Sequence, residues 1–275
     1  MTLNETQAPA KWGLTGSQLK YIAAALMVFD HVHQMFLANG APGWFTWLGR
    51  PVAPIFIFLC AEGFFYTRSR RKYMLQLFVG YEFMNIASTL LSGAMPNPDV
   101  ALINNIFGTM FLITVYLLAF DLIRGGIAEK KASRAVLGAA IILVSLLAAA
   151  AVLALFGSAD IMASMPRWAF IVIFKMIPNI MTTEGGPIMV LMGVIFYVFR
   201  EKRLLQAGFL VLCSILTFIS APGDSNVQWL MGIAAIGMLL YNGSRGRGGK
   251  YFFYVFYPAH IYLLYIAAYF LQPAG

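Results

Sequence analysis

The chain is a succession of long apolar runs joined by short polar links. Runs such as Leu19–Leu37, Ala101–Ile123 and Tyr251–Leu271 approach or reach the about 20 residues a helix needs to cross a hydrocarbon core. Of the 275 residues, 60% are hydrophobic and only 11% are charged, against about 25% charged residues in a soluble domain. So little charge cannot cover so much apolar surface in water, which excludes a soluble fold. The fold class is therefore an all-α integral membrane protein. Residues 1–18 form the longest polar stretch. They lack the basic region leading into an apolar core that marks a cleaved signal peptide. The expected organisation is a short cytoplasmic segment, 1–18, followed by a single transmembrane domain over 19–271.

The candidate spans are Leu19–Leu37, Pro51–Tyr66, Tyr73–Leu91, Ala101–Ile123, Ala135–Phe156, Pro187–Phe199, Leu204–Ser220, Val227–Tyr241 and Tyr251–Leu271. Four links are basic: Arg68–Lys72, Arg124–Arg134, Arg200–Arg203 and Asn242–Lys250. Cytoplasmic loops carry the excess of Lys and Arg, so all four are expected inside. That parity places the N-terminus in the cytoplasm and gives about nine crossings, with ten as the alternative. It also makes Trp168–Met181, which holds Lys175 and Pro178, a re-entrant or interfacial helix. The opposite loops, Asn39–Trp44, Pro96–Asp99 and Ala221–Asn226, contain no Lys or Arg. The net charge of +8 lies in the basic links, so it marks topology and not a nucleic-acid partner. Cys60 and Cys213 lie in apolar runs without CxxC spacing, which gives no metal signal. GxGxxG, GxxxxGK[ST] and HExxH patterns are absent.

Ionisable groups at bilayer depth are costly unless paired or wet, which makes them functional candidates. Asp30 and His31 fall near the middle of the first span, with His33 one turn from Asp30. Glu62 falls mid-span in the second helix, Glu82 in the third with Asn85 on its face, and His260 in the last, one turn from Tyr257. Placed at similar depth, Asp30, Glu62, Glu82 and His260 are expected to share one polar chamber. Asp30 would orient an imidazole, His31 or His33, and raise its basicity. The plainer reading is that Asp30 and a histidine staple helices, that the glutamates are neutral acids, and that His260 is a satisfied core histidine. Arg68, Arg71 and Lys72 form either a topology signal or an anchor for an anionic ligand. Arg50, in a Gly-Arg-Pro element, either snorkels to head groups or faces the chamber.

The segments LKYIAAALMVFDHVHQMF, LGRPVAPIFIFLCAEGFFYTRSRRKYMLQL, TEGGPIMVLMGVIFYVFR and KYFFYVFYPAHIYLLY together resemble the TraX family. These are polytopic inner-membrane proteins associated with conjugative plasmids and linked to N-terminal acetylation of pilin. The resemblance extends from about Leu19 to Leu264 and is weakest between Arg134 and Asn179. Asp30 and His31 match its DH, and Arg50, Pro51, Pro54 and Glu62 its R-x-x-P…E-G block. Thr67, Arg68, Lys72 and Tyr73 match the TR…KY continuation, Glu184–Gly186 an EGG-like element, and Tyr257, Pro258 and His260 a YPxH element.

The resemblance implies a bacterial inner-membrane acyltransferase that takes an acetyl group from cytosolic acetyl-CoA to a pilin subunit or another membrane-associated acceptor. His31, backed by Asp30, is expected as the base, with His260 second as base or oxyanion donor, and Glu62 beside them. Arg50, Arg68, Arg71, Lys72 and Tyr73 are expected on the donor, and Glu82, Asn85, Glu184 and Tyr257 in the pocket. The alternative is a proton-coupled transporter using the same buried Asp, Glu and His residues. A non-catalytic scaffold for pilus assembly is a third reading.

Overall fold

The computed structural model describes residues 12–223 and 226–271. Most of the segment expected at 1–18, and part of the expected loop Ala221–Asn226, lie outside them. The described residues are helical, with a single bridge between Leu14 and Tyr241. The helices are α1 (Gly16–Phe36), α2 (Phe45–Gly49), α3 (Val52–Tyr66), α4 (Arg70–Ala94), α5 (Ile106–Ala128), α6 (Ala132–Phe156), α7 (Ala159–Ser164), α8 (Arg167–Ile171), α9 (Gly186–Val198), α10 (Arg203–Ser220), α11 (Ala234–Leu240) and α12 (Lys250–Leu271). A helix forms at each expected span, because an apolar backbone in lipid must satisfy its own polar groups.

Among the described residues, six helical stretches are long and apolar enough to cross a membrane: Gly16–Asn39, Phe45–Tyr66, Ile106–Ala128, Ala132–Phe156, Arg203–Ser220 and Tyr251–Leu271. Gly186–Val198 and Gln228–Leu240 are shorter apolar helices. Helix α4 has 25 residues, but it begins Arg-Arg-Lys and carries Glu82 and Asn85. Helix α6 shows what the surrounding medium must be. Its Leu143, Val144, Leu146 and Leu147 are all exposed, and a continuous apolar face of that kind suits lipid, not water.

The expected re-entrant piece, Trp168–Met181, is not one helix. It is α8 followed by a π-helical turn, Val172–Met176, and an irregular stretch from Ile177 that leads to α9. Pro178, which has no N–H to give, falls in that irregular stretch.

The chain divides into two compact units. The first comprises Met1–Leu59, Asn97–Val100 and Phe199–Gly275, the second Cys60–Pro96 and Ala101–Val198. In the first, α1 packs on α2 and α12. Buried Leu19, Ala23, Met27, His31 and Met35 recur every four residues along α1, so one stripe of the helix faces its neighbours. Thr15 starts α1 with a capping box, accepting from the Gln18 N–H while the Gln18 side chain accepts from its own.

In the second unit, α5 packs on α4, α6 and α9. Close approach depends on glycine: a Cβ on Gly193 would lie 2.6 Å from Ile113, and one on Gly138 2.6 Å from the Ala119 carbonyl oxygen. The link from α5 to α6 is tied by Glu129, which accepts from Arg134 at 2.6 Å and pairs with Lys131 at 3.0 Å. Chiefly through the Arg134 hydrogen bond, that carboxyl is held below its ordinary range.

Candidate functional site: a buried histidine pair

His31 and His260, from α1 and α12 of the first unit, are both buried. The His31 Nδ1 lies 2.7 Å from the His260 Nε2. The rings are 4.9 Å apart between centroids and only 23° from parallel. With nitrogens so close, that separation means two rings side by side nearly in one plane, the arrangement of an in-plane hydrogen bond.

The outer partner sets the direction of this bond. The His260 Nδ1 is 2.7 Å from the Phe256 carbonyl oxygen. A carbonyl only accepts, so Nδ1 carries the proton and the Nε2 of neutral His260 is the acceptor. His31 therefore donates from Nδ1, and its Nε2 is the lone-pair nitrogen of the neutral ring. The Phe256 ring lies 4.8 Å from His260 at 14°, and Tyr257 stands edge-on to both histidines. Two neutral imidazoles in this order can move charge: a proton taken at the His31 Nε2 lets the Nδ1 proton pass to His260.

Asp30 does not serve a histidine. Its Oδ1 accepts from the Arg50 Nη2 at 2.8 Å. The sequence reading, with Asp30 orienting His31 or His33, is corrected here for a geometric reason. Helix α2 brings Arg50 back beside α1, and a guanidinium is the stronger partner for a carboxylate. Arg50 is held on three further atoms: the Thr46 carbonyl at 3.1 Å, the Thr46 hydroxyl at 2.8 Å and the Gln228 Oε1 at 3.0 Å. The neighbouring glycine is obligatory, because a Cβ on Gly49 would fall 2.2 Å from the Asp30 Cγ. Thr46, Gly49 and Gln228 were not legible as site residues, since nothing in their spacing ties them to Asp30. His33 donates from Nδ1 to the Ala41 carbonyl at 3.3 Å, closing the turn after α1.

Other expected site residues belong to the second unit. Glu62 is buried in α3. Arg68, Arg71 and Lys72 are exposed, whereas Tyr73 is half-buried, its hydroxyl 3.1 Å from where a Cβ on Gly63 would stand. Glu82 is half-exposed and makes no hydrogen bond or ion pair among the described residues. Asn85 donates to the Lys175 carbonyl at 2.6 Å and accepts from the Asn105 amide at 2.9 Å, and the Tyr81 hydroxyl donates to the same Lys175 carbonyl. Glu184 accepts from the backbone N–H of Asn105 at 2.8 Å, so the EGG glutamate sits at the N-terminus of α5, where a carboxylate is favourable. The structure thus joins Asn85 and Glu184 through Asn105, and leaves Glu82 outside that network.

One cluster was missed altogether. Asp121 pairs with Arg70 at 2.7 Å and accepts from the Tyr197 hydroxyl at 2.6 Å. The Arg70 guanidinium also covers the Phe64 ring at 4.7 Å. Arg70 is thereby committed within the fold, unlike its exposed neighbours in the basic run.

The long apolar helices of the described residues, with a hydrogen-bonded histidine pair buried between two of them, are those of a membrane protein. A family profile described as TraX protein matches residues 15–170 and 131–268. The chain belongs to the TraX family. It is also 26% identical over 261 residues to the probable fimbrial assembly protein FimC, serogroup H1, of Dichelobacter nodosus, covering 93% of this chain and 96% of that one. No solved structure matches the chain.

Proposed function

We propose that this chain is a membrane-embedded acyltransferase that moves an acetyl group from cytosolic acetyl-CoA to the N-terminal amine of a pilin-type subunit. The single observation that carries the reading is the ordered pair His31–His260, which leaves the His31 Nε2 as a buried base. The acceptor amine attacks the thioester carbonyl and a C–N bond forms. The amine proton goes to the His31 Nε2, the C–S bond breaks as the CoA thiolate leaves, and the thiolate takes that proton back from the histidine pair, which returns to its neutral state. The His31 Nδ1 proton shifts to His260, so the positive charge is shared over two rings. Membership in a family linked to pilin acetylation supports the choice of acceptor. So does similarity to a protein named for fimbrial assembly.

Arg68, Arg71 and Lys72, exposed in the first basic link, supply positive charge for the donor's phosphates. That role requires the link to face the cytoplasm. The same orientation follows from an inside N-terminus, about nine crossings and an inner-membrane location.

The experiment is the purified full chain in nanodiscs with labelled acetyl-CoA and a synthetic pilin N-terminal peptide. The expected result is a gain of one acetyl group on the peptide amine, abolished by His31→Ala. Proton-driven uptake into vesicles without acyl turnover would replace this reading with the transporter.

A further inference from the structure

The link between α11 and α12, residues 242–249, is basic and rich in glycine, yet it is tied down at many points. The Leu14 N–H donates to the Leu240 carbonyl at 2.7 Å, and the Asn242 N–H to the Leu14 carbonyl at 3.0 Å. The Asn242 Oδ1 then accepts from the Ser244 N–H at 2.9 Å and from its hydroxyl at 2.6 Å, which folds the link back. The first N–H groups of a helix have no partner within it. For α1 this link supplies them. The Gly16 N–H donates to the Ser244 carbonyl at 2.9 Å, and the Ser17 N–H and hydroxyl donate to the Arg245 carbonyl at 3.0 and 2.8 Å. Gly246 follows with φ +75°, where a Cβ would stand 2.5 Å from the Thr15 Oγ1.

These ties spend the carbonyls of Ser244 and Arg245 on α1 and leave donors for other groups. Arg245 and Arg247 are exposed, and among the described residues neither forms an ion pair. Among the same residues, no acceptor meets the backbone N–H groups of Gly246, Arg247 and Gly248. Two guanidinium groups next to successive unmet N–H groups suit a phosphate ester.

The link also stands at a set distance from the histidine pair, within the same unit. Helices α1 and α12 both begin at it. The rings of Tyr21 and Phe252 lie 5.6 Å apart near that end, and His31 meets His260 further along. The two helices therefore run side by side in the same direction. At about 1.5 Å per residue, His260 lies about 15 Å along α12, and His31 about 21 Å beyond Ser17 on α1. The pantetheine arm of coenzyme A is as long as about five extended residues, or about 17 Å. A donor held by its phosphates at the link carries its thioester to the depth of the pair.

We infer that residues 242–249 form an anchor for the phosphates of the coenzyme A donor, held by Arg245 and Arg247. The inference rests on the reading of acetyl-CoA as donor. It adds an anchor in the histidine-bearing unit to the charge of Arg68, Arg71 and Lys72.

The test is binding of labelled coenzyme A to the full chain in phosphatidylcholine nanodiscs. Replacing both arginines, Arg245→Gln with Arg247→Gln, is expected to raise Kd by about tenfold or more and to leave Tm unchanged, since both side chains are exposed. Arg245→Lys with Arg247→Lys should recover part of the affinity. Arg124→Gln with Lys130→Gln removes the same charge from another exposed link and should change Kd by less than about twofold, because salt screens distant charges. Adenosine 3′,5′-bisphosphate is expected to compete with coenzyme A. Pantetheine, which has no phosphate, and glycerol 3-phosphate, which has only the ester of a lipid head group, should compete far less.

Undiminished binding in the double glutamine variant would overturn the anchor and leave the acetyl-transfer reading standing. An equal loss in the Arg124 and Lys130 variant would overturn it as well, by showing a general field in place of a site. Equal competition by glycerol 3-phosphate would make the link a head-group contact. Coenzyme A bound through the link, with no acetyl transfer to the peptide, would keep the anchor and end the transfer reading. A wild-type chain that binds no coenzyme A would end both.

Discussion

His31 and His260, 229 residues apart in the chain, are joined by a 2.7 Å bond between the Nδ1 of one and the Nε2 of the other. The Phe256 carbonyl at the far end gives that bond its direction. A definite tautomer follows for each ring and is open to measurement. With ¹⁵N-labelled histidine in the full chain at neutral pH, both His31 and His260 are expected to carry their proton on Nδ1 and none on Nε2. Nε2 protonation of neutral His31 would reverse the pair and remove the assigned base. The measurement needs no substrate, so it stands apart from any assay of acyl transfer.

The Asp30–Arg50 ion pair rests on a backbone that allows nothing larger than hydrogen at position 49. In Gly49→Ala the new methyl would overlap the Asp30 carboxylate, at 2.2 Å from its Cγ. Overpacking of this kind costs about 1–3 kcal/mol, and here it also breaks the pair at 2.8 Å. A lowered Tm is expected. Arg50→Lys is expected to fall short of wild type as well, because an ammonium cannot reach Thr46, Gln228 and Asp30 together. A Gly49→Ala protein as stable as wild type would show that α1 and α2 can separate freely there.

These two relationships show what the sequence made legible. Asp30, His31 and His260 stood out because charge and imidazole are rare in lipid-length apolar runs. Their helices were legible too, since a spanning segment announces itself by length. Pairing was not. Which histidine meets which, and that Asp30 turns to Arg50, depends on how α2 folds back after the turn at His33 and Ala41. Gln228 lies 178 residues from Arg50, with no periodicity to link them. Glu82 shows the reverse case. Its depth in an apolar run suggested a pocket, but it is half-exposed and joins no hydrogen bond among the described residues, while Asn85, on the same face one turn on, enters the network because the Lys175 carbonyl and Asn105 lie within its reach. Asp121 went unnoticed because a single acid near the end of a span looks like an ordinary boundary residue.

Asp121 holds Arg70 and Tyr197 together at a partly buried position, with side-chain exposures of 37% for Arg70 and 22% for Asp121. Asp121→Asn is expected to lower stability by about 1–2 kcal/mol, between the values for exposed and buried pairs. Tyr197→Phe should cost less, since it removes one hydrogen bond at 2.6 Å and keeps the packed ring. Denaturation in mild detergent measures both. Glu129 is the control. Its carboxyl is held below the ordinary range by Arg134 and Lys131, so any contribution it makes is present at neutral pH and lost only in acid. The group is exposed and its ion pairs are solvated, so Glu129→Gln is expected to leave Tm unchanged. A larger effect there than at Asp121 would mean that the α5–α6 link, not the triad, holds this unit together.

The two histidines are expected to fail differently when substituted. His31→Gln removes the nitrogen that receives the amine proton, so acetyl transfer should fall by about 100- to 10,000-fold, the usual contribution of a general base. His260→Asn or His260→Gln can still offer an oxygen to the His31 Nδ1–H, so the base keeps its tautomer but can no longer hand charge onward. The expected loss is smaller and falls on kcat, with KM for the peptide nearly unchanged, because His260 acts through His31 without touching the acceptor. His260→Leu removes the acceptor as well and leaves a buried N–H unmet, so it should behave like His31→Gln or worse. Rates with a pilin-type peptide and acetyl-CoA across the series decide the matter. Equal rates for His260→Gln and His260→Leu would show that the bond between the rings does not orient the base, and a His31→Gln protein with full activity would place the proton transfer elsewhere in the chain.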